Sequence, residues 1–261
     1  MTARIDALLE RMEAELAPMR DSADERRHFL SMYTRTTSAV RDELARGRFV
    51  DGEWTERWEL EFAELYLEAL QRWNEDGSAP GPWQVTFEAA GSRPRVPPLR
   101  HVLLGINAHV NYDLPQALLS VIDDDGFADP AIIRRRAADH RHIDDILSSR
   151  VSAEDELLRA EELPGDRTFL DVVLTPFNRA GTRRFLQEAR EKVWRNAAAL
   201  SLARRQGPSA LKARVDELGD LSAARVADLR RPGQVIFRLA SHGFGVTLSE
   251  AEPPRAVTLD A

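Results

Sequence analysis

The stretch Leu99-Arg-His-Val-Leu-Leu-Gly-Ile-Asn-Ala-His-Val-Asn-Tyr-Asp-Leu-Pro115 combines an apolar helical pattern with polar side chains at regular intervals. We expect a helix from Leu99 to about Asp113, with Pro115 marking its end or a kink, because proline lacks the N–H that a helix interior needs. Residues four apart lie on one face of a helix, so four of these positions form a slightly slanting stripe. They are His101, Gly105, His109 and Asp113, and the glycine leaves room between the two histidines.

This stripe gives the stretch its chemical interest. A histidine and an aspartate four residues apart on a helix can chelate one metal ion, or the carboxylate can orient the imidazole. His109 and Asp113 have this spacing. Asn107 and Asn111 fall on a different face of the same helix, where we expect them to brace loops or neighbouring helices.

Helical periodicity also covers most of the chain outside this stretch. The clearest segments are at 55–73, 131–148 and 180–205. Alternating patterns near 83–88 and 234–248 predict short β-like pieces, the second of them as a terminal hairpin. No repeat or linker divides the chain. We therefore expect a mainly α, single-domain helical bundle over residues 1–250, followed by a flexible C-terminal tail at 251–261.

Composition excludes several classes of function. The 261 residues include 36 Lys and Arg against 43 Asp and Glu, and the net charge of −7 argues against a nucleic-acid partner, which needs a basic surface. The mean hydropathy is −0.40, and no apolar run approaches the roughly twenty residues that a membrane span requires. The absence of cysteine excludes a thiolate nucleophile and sulfur-ligated zinc, and it fits a reducing compartment. We expect a soluble, cytoplasmic protein that binds neither nucleic acid nor membrane.

Two other predicted helices each direct a carboxylate toward their apolar side. Asp139 falls in the middle of the apolar face of the 131–148 helix, and Glu59 falls on the apolar side of the 55–73 helix. Burying an unpaired carboxylate is costly, so Asp139 should find a cation, a histidine or a metal ion. Helical bundles build metal and acid–base sites from such inward side chains on facing helices.

These patterns predict a small-molecule enzyme with a His/carboxylate site buried between helices. His109 and Asp113 are the predicted catalytic residues. A divalent metal (Zn, Fe or Mn) would take nitrogen and oxygen ligands, and a water bound to it would act as a nucleophile or base in hydrolysis. If no metal binds, His109 oriented by Asp113 would serve as a general base. The sequence predicts no organic cofactor, and the predicted metal ligands are Glu59, His101, His109, Asp113 and Asp139.

A structural interpretation of the same residues stays open beside the enzymatic one. Arg136 lies on the same face as Asp139 and would neutralise that carboxylate without any metal. Inward histidines and acids would then form a hydrogen-bond network that specifies the core. The chain would in that case be a non-catalytic helical ligand-binding or interaction protein.

The motif at 103–115, Leu-Leu-Gly-Ile-Asn-Ala-His-Val-Asn-Tyr-Asp-Leu-Pro, resembles an uncharacterised family catalogued as domain of unknown function 5995. At position 144 the chain has Asp where the family pattern has Asn. The resemblance covers about 28–205 and implies a helical single domain that groups Glu59, His109, Asp113 and Asp139, but it implies no activity. Further residues that carry it are Glu59 with Phe62, Ala63 and Tyr66, Asp139 with Ile143, and Arg190 with Trp194.

Overall fold

Helices follow one another along most of the part of the chain that the computed structural model describes, which is residues 2–160, 179–231 and 243–249. These residues contain no β-strand, so the prediction of a mainly α fold is confirmed. The first five helices are α1 (Ala3–Asp21), α2 (Arg27–Ala45), α3 (Gly52–Asp76), α4 (Gly81–Ala90) and α5 (Pro98–Ala108). A π-helix (His109–Asp113) comes next, followed by α6 (Leu114–Val121), α7 (Asp124–Ala128), α8 (Pro130–Ala160), α9 (Arg179–Gln206) and α10 (Pro208–Arg230).

The continuous helical run from α5 through the π-helix to α6 lies in the middle of the fold. Helix α5 packs against α2 and α10, whereas α6 packs against α3 and α9. Leu104, Ala108 and Leu118 on this run are completely buried. A helix that is covered on several sides must be apolar around most of its circumference, which explains the dense apolar pattern of the stretch 99–115.

The π-helix interrupts the helix that was predicted from Leu99 to about Asp113. The N–H of Leu114 bonds to the C=O of His109, five residues back instead of the four of an α-helix. Pro115 lies in the first turn of α6, where its missing N–H is tolerated. Short π-helical turns within α-helices often occur at functional sites, and hydrophobic spacing does not reveal them.

The prediction of a β-like piece near 83–88 is wrong, because these residues belong to α4. Trp83 and Phe87 are four residues apart, and their rings stack at 5.4 Å on the buried side of that helix. Pro82 starts the helix, since a proline fits its first turn. A short alternating run of β-branched and aromatic residues was thus overridden by tertiary packing.

The second predicted β-like piece, near 234–248, lies partly outside the described residues, as does all of the predicted tail at 251–261. Its described part, from 243, is not a strand and has no strand partner within the described chain. The extent of a single domain over 1–250 stays a prediction. None of the described helices is both long enough and apolar enough to cross a membrane.

Candidate functional site

His109 and Asp113, at the two ends of the π-helix, form a buried hydrogen-bonded pair. The ring Nδ1 of His109 lies 2.8 Å from Oδ2 of Asp113. The indole Nε1–H of Trp83 donates to the same carboxylate oxygen at 2.8 Å. The two residues are 3% and 1% exposed, respectively. The predicted pairing is therefore present, and the carboxylate fixes the orientation of the imidazole as the second partner of a catalytic histidine does.

Aromatic side chains surround the His109 imidazole. The Phe62 ring stacks on it at 3.6 Å between centroids and nearly parallel, and the Tyr33 ring meets it edge-on at 4.7 Å. Phe62 is only partly buried, so it separates the imidazole from solvent. Three more rings lie at 5.9–6.1 Å, those of Phe29, Tyr66 and Trp83.

The second ring nitrogen of His109 has no partner. Nε2 is buried, and no hydrogen bond to it exists among the described residues. Buried polar atoms are nearly always hydrogen-bonded, so each exception calls for a physical explanation. Burial lowers the pKa of His109, against the opposing effect of the Asp113 carboxyl. Burial likewise raises the pKa of Asp113, although bonds from His109 and Trp83 oppose the shift. The lowered pKa favours the neutral imidazole, with a free lone pair or N–H at Nε2.

Glu59 on α3 lies near this pair without bonding to it. Its carboxyl accepts a hydrogen bond from Thr37 Oγ1 at 3.3 Å. Burial raises the pKa of Glu59 to about 7. Burial raises the pKa of Tyr33 well above its ordinary value, and the carboxyls of Glu59 and Asp113 add to this shift, so Tyr33 is close to both. Glu59 therefore belongs to the surroundings of Tyr33, whose ring meets the His109 imidazole edge-on.

The space expected at Gly105 is filled by protein. A Cβ built on Gly105 would lie 2.3 Å from Cδ2 of Phe29, far inside van der Waals contact. The glycine therefore admits the Phe29 ring, one of the walls around His109, and leaves no gap for a ligand between the two histidines.

His101 belongs to a different cluster. Its ring stacks on His28 at 5.9 Å, and its Nε2 lies 4.0 Å from Glu25. Glu25 is held by Arg95 at 2.8 Å. Burial lowers the pKa of His101 to about 4. Eight residues of helix separate His101 from His109, a rise of about 12 Å, so one metal ion does not reach both.

Asp139 has found backbone donors, where a cation, a histidine or a metal ion was expected. Its carboxylate accepts the N–H of Val50 at 2.6 Å and the N–H of Asp51 at 3.0 Å. Arg136 pairs with the Asp51 side chain at 2.5 Å and not with Asp139. Main-chain N–H groups can satisfy a buried carboxylate as fully as a cation does. Asp139 therefore ties α8 to the residues that precede α3.

The structure thus divides the five predicted metal ligands among several environments. Within the described ranges, no group of three or more His, Asp or Glu side chains could hold one metal ion. Only His109 and Asp113 are joined directly, whereas Glu59 bonds to Thr37, and His101 and Asp139 serve other contacts. Binding of a divalent metal stays a prediction, without a preformed ligand set among these side chains.

Sequence reasoning missed a second polar cluster, between α8 and α9. The Trp194 indole N–H donates to Nδ1 of His140 at 3.1 Å, and Arg190 pairs with Asp144. Burial lowers the pKa of His140 to about 3. The sequence did contain a signal for this cluster. His140 and Asp144 are four residues apart and share one face of α8, and Arg190 and Trp194 are four apart and share one face of α9.

Open space in the described structure lies mostly away from His109. A cavity of about 510 Å³ is bordered by Arg57, Asp123 and Arg204, and none of the predicted site residues lines it. Beside Phe29, Tyr66, Trp83 and His101 there is only about 10 Å³, roughly the space of one water molecule. A ligand larger than water therefore reaches His109 only after a side chain moves.

Fold and site together define a helical protein with a buried His–Asp pair enclosed by aromatic rings. The model of a family of unknown function (DUF5995) matches residues 5–232. The chain belongs to this family, which confirms the resemblance seen at 103–115. No curated protein and no solved structure matches the chain.

Proposed function

We propose that the protein is a small-molecule enzyme in which His109 acts as a general base. The observation that carries this proposal is the buried, unpartnered Nε2 of an imidazole whose other nitrogen is held by Asp113. A general base needs a neutral imidazole, a fixed ring orientation and one nitrogen free to accept a proton. Burial supplies the first property by lowering the pKa of His109. The bond to Asp113 supplies the second.

The carboxylate sets which nitrogen is free. Oδ2 of Asp113 accepts the Trp83 N–H, and in the proposed state it also accepts Nδ1–H of His109. Nε2 then carries the lone pair. When Nε2 takes a proton from a substrate or from a water molecule that attacks the substrate, the Asp113 carboxylate stabilises the imidazolium that forms. The proposed reaction needs only this pair. It includes no metal-dependent step, because the other predicted metal ligands lie elsewhere.

The walls of the site define the class of substrate. Rings of Phe29, Tyr33, Phe62, Tyr66 and Trp83 offer an apolar surface to which a small aromatic or apolar molecule would bind. Access requires the partly buried Phe62 ring to rotate away from the imidazole, which it covers at 3.6 Å. Outward movement of Phe62 would open a path to Nε2 without disturbing Asp113.

Hydrolysis of p-nitrophenyl acetate tests this proposal, because a buried general base accelerates attack of water on a small aromatic ester. Water adds to the acyl carbon, Nε2 takes the water proton, and p-nitrophenolate leaves. We expect His109→Gln to lower the rate about a hundred-fold. The control variant is His142→Gln, which removes a part-exposed histidine that lies beside Glu43. Phe62→Ala should raise kcat/KM by widening access. Equal rates for wild type and His109→Gln would refute the proposal.

The second candidate is a non-catalytic interaction protein, and one set of contacts favours it. Several buried polar side chains make only structural bonds. Asp139 holds backbone N–H groups, and the amide of Asn111 bonds to residues 244 and 246. On this alternative, His109→Gln would change stability and leave every activity unaffected.

A further inference from the structure

The described C-terminal segment Gly243–Ser249, here called the strap, lies extended against four helical elements. Its apolar side chains Phe244, Val246 and Leu248 are 4%, 8% and 5% exposed. The residues that hold it come from α5, the π-helix, α9 and α10. The strap itself lies outside residues 5–232, which match the family model. The helical residues that hold the strap, here called the groove, thus lie within the part of the chain that matches the family model, whereas the strap lies outside it.

Asparagine side chains bind the strap as a neighbouring β-strand would. Asn111 donates its Nδ2–H to the C=O of Phe244 at 3.1 Å, and its Oδ1 accepts the N–H of Val246 at 3.0 Å. Asn196 repeats the pattern two residues further on, with the C=O of Val246 at 3.0 Å and the N–H of Leu248 at 2.9 Å. Each amide satisfies one N–H and one C=O of the extended backbone.

Side chains at the two ends of the groove complete this recognition of backbone. On α9, Glu188 accepts the N–H of Phe244 at 3.2 Å, and Lys192 donates to the C=O of Gly245 at 2.9 Å. On α10, Glu217 accepts the N–H of Ser249 at 3.0 Å. Bonds to N–H and C=O groups do not depend on the side chain of the bound residue, so they fit any extended peptide.

Sterics and burial supply the sequence preference. A Cβ on Gly245 would lie 2.6 Å from Cδ of Lys192, and a Cβ on Gly243 would lie 2.7 Å from Oε1 of Glu188. Gly243 also has a φ of +71°, which side chains rarely adopt. Oε1 of Glu188 is the end of a flexible side chain, so the positive φ is the main restriction at Gly243, whereas a Cβ on Gly245 would also lie 3.2 Å from Cβ of Lys192. With the three buried apolar positions, the groove favours the pattern Gly–apolar–Gly–apolar–x–apolar.

We propose that this groove is a binding site for an extended peptide segment of another molecule that carries the same pattern, and that the strap is its intramolecular ligand. A tethered ligand competes at a high effective concentration, so a partner binds only when the strap leaves. The asparagine pair recognises the backbone of the incoming segment, and the glycines and apolar residues give specificity. This site is independent of His109.

A labelled synthetic peptide of residues 243–249 tests the proposal by fluorescence anisotropy with the full chain. The double variant V246D/L248D weakens the strap and leaves every groove residue in place. We expect it to bind the peptide at least about ten-fold more tightly than wild type, because the tethered competitor is lost. Adding Asn196→Leu to that variant should abolish binding, and a peptide with Gly245→Val should not bind. No trans binding to the folded double variant would overturn the proposal.

Hydrogen exchange of the wild-type chain covers the case in which the double variant does not fold. The proposal requires the Val246 and Leu248 amides to exchange faster than the interior amides of α10, because the strap must leave while the helices persist. Exchange of both sets only through global unfolding would refute it. A wild-type dimer that the peptide breaks up would supply the same chemistry from a second copy and would support the site.

Discussion

The two faces of the π-helix differ in whether their buried polar atoms have hydrogen-bond partners among the described residues. On one face, the Asn111 amide uses both its oxygen and its nitrogen to hold the strap. On the other face, two residues away along the chain, His109 uses one ring nitrogen and leaves Nε2 without a partner. An unsatisfied buried polar atom costs about 1–3 kcal/mol. The comparison indicates that the asparagine face stabilises the fold and its bound segment, whereas the histidine face retains a cost that chemistry would explain.

We expect the largest effect from Gly105→Ala, which disturbs the Phe29 ring that packs beside His109. The new methyl group would meet the Phe29 ring at 2.3 Å and displace it. We expect a loss of about 3 kcal/mol in the free energy of unfolding, measured with urea, because overpacking a rigid core is poorly tolerated. Gly91→Ala is the matched control, since its nearest neighbour atom lies 4.0 Å away. Equal stability of the two variants would show that Phe29 is free to move.

The comparison of the two faces is tested directly by Asn111→Leu and His109→Gln. Asn111→Leu leaves the N–H of Val246 without its acceptor and should cost about 2 kcal/mol. His109→Gln removes an unpartnered nitrogen, and the glutamine amide carries an N–H that can replace the bond to Asp113, so the variant should cost no more than about 1 kcal/mol. Urea denaturation at neutral pH measures both. The reverse order of stability would make the histidine face the structural one.

A smaller, pH-dependent effect is expected from Glu59→Gln. The pKa of Glu59 is about 7 in the folded chain against the ordinary 4.5, so the folded state binds more protons between these values. Wild-type stability therefore falls as the pH rises from 4.5 through 7, and the penalty is complete above 7. A glutamine carries no such penalty. Glu59→Gln should be more stable than wild type by on the order of 3 kcal/mol at pH 8, and the difference should vanish near pH 4.5.

Denaturation at both pH values measures this effect. A stability difference that does not change with pH would mean that Glu59 is ionised and satisfied in the folded chain. A His109 variant made in the Glu59→Gln background would then separate the neighbouring acid from the His–Asp pair.

The helical fold and the His–Asp pair were predictable because both depend on local spacing. Helical periodicity over long segments identified the fold, and residues four apart identified His109 with Asp113. The sequence did not show that Phe29 would fill the space at Gly105, nor that Asp139 would bind backbone N–H groups near residue 50. Those outcomes depend on which helix packs opposite. The spacing of residues along one helix does not predict its neighbour.

The strap is a second case in which the residue pattern did not predict the hydrogen-bond partners. Alternation in the segment near 234–248 predicted a β-like piece. The described part, from 243, is not a strand, and its bonding partners are asparagine side chains of distant helices. Backbone hydrogen bonds must be satisfied somewhere, and a pattern of residues does not say where. The expectation that Asn107 and Asn111 brace other parts of the chain is confirmed by their bonds to the strap.

Nitrogen-15 NMR of histidine-labelled protein over a pH titration measures the protonation state of His109, on which its role as a base depends. We expect a neutral imidazole at pH 7, with the proton on Nδ1 and the lone pair on Nε2. We also expect a pKa below the ordinary 6.5. His109→Gln assigns the signal. A proton on Nε2 in the neutral form, or an imidazolium at pH 7, would contradict the account, because Nε2 would then be unable to act as a base.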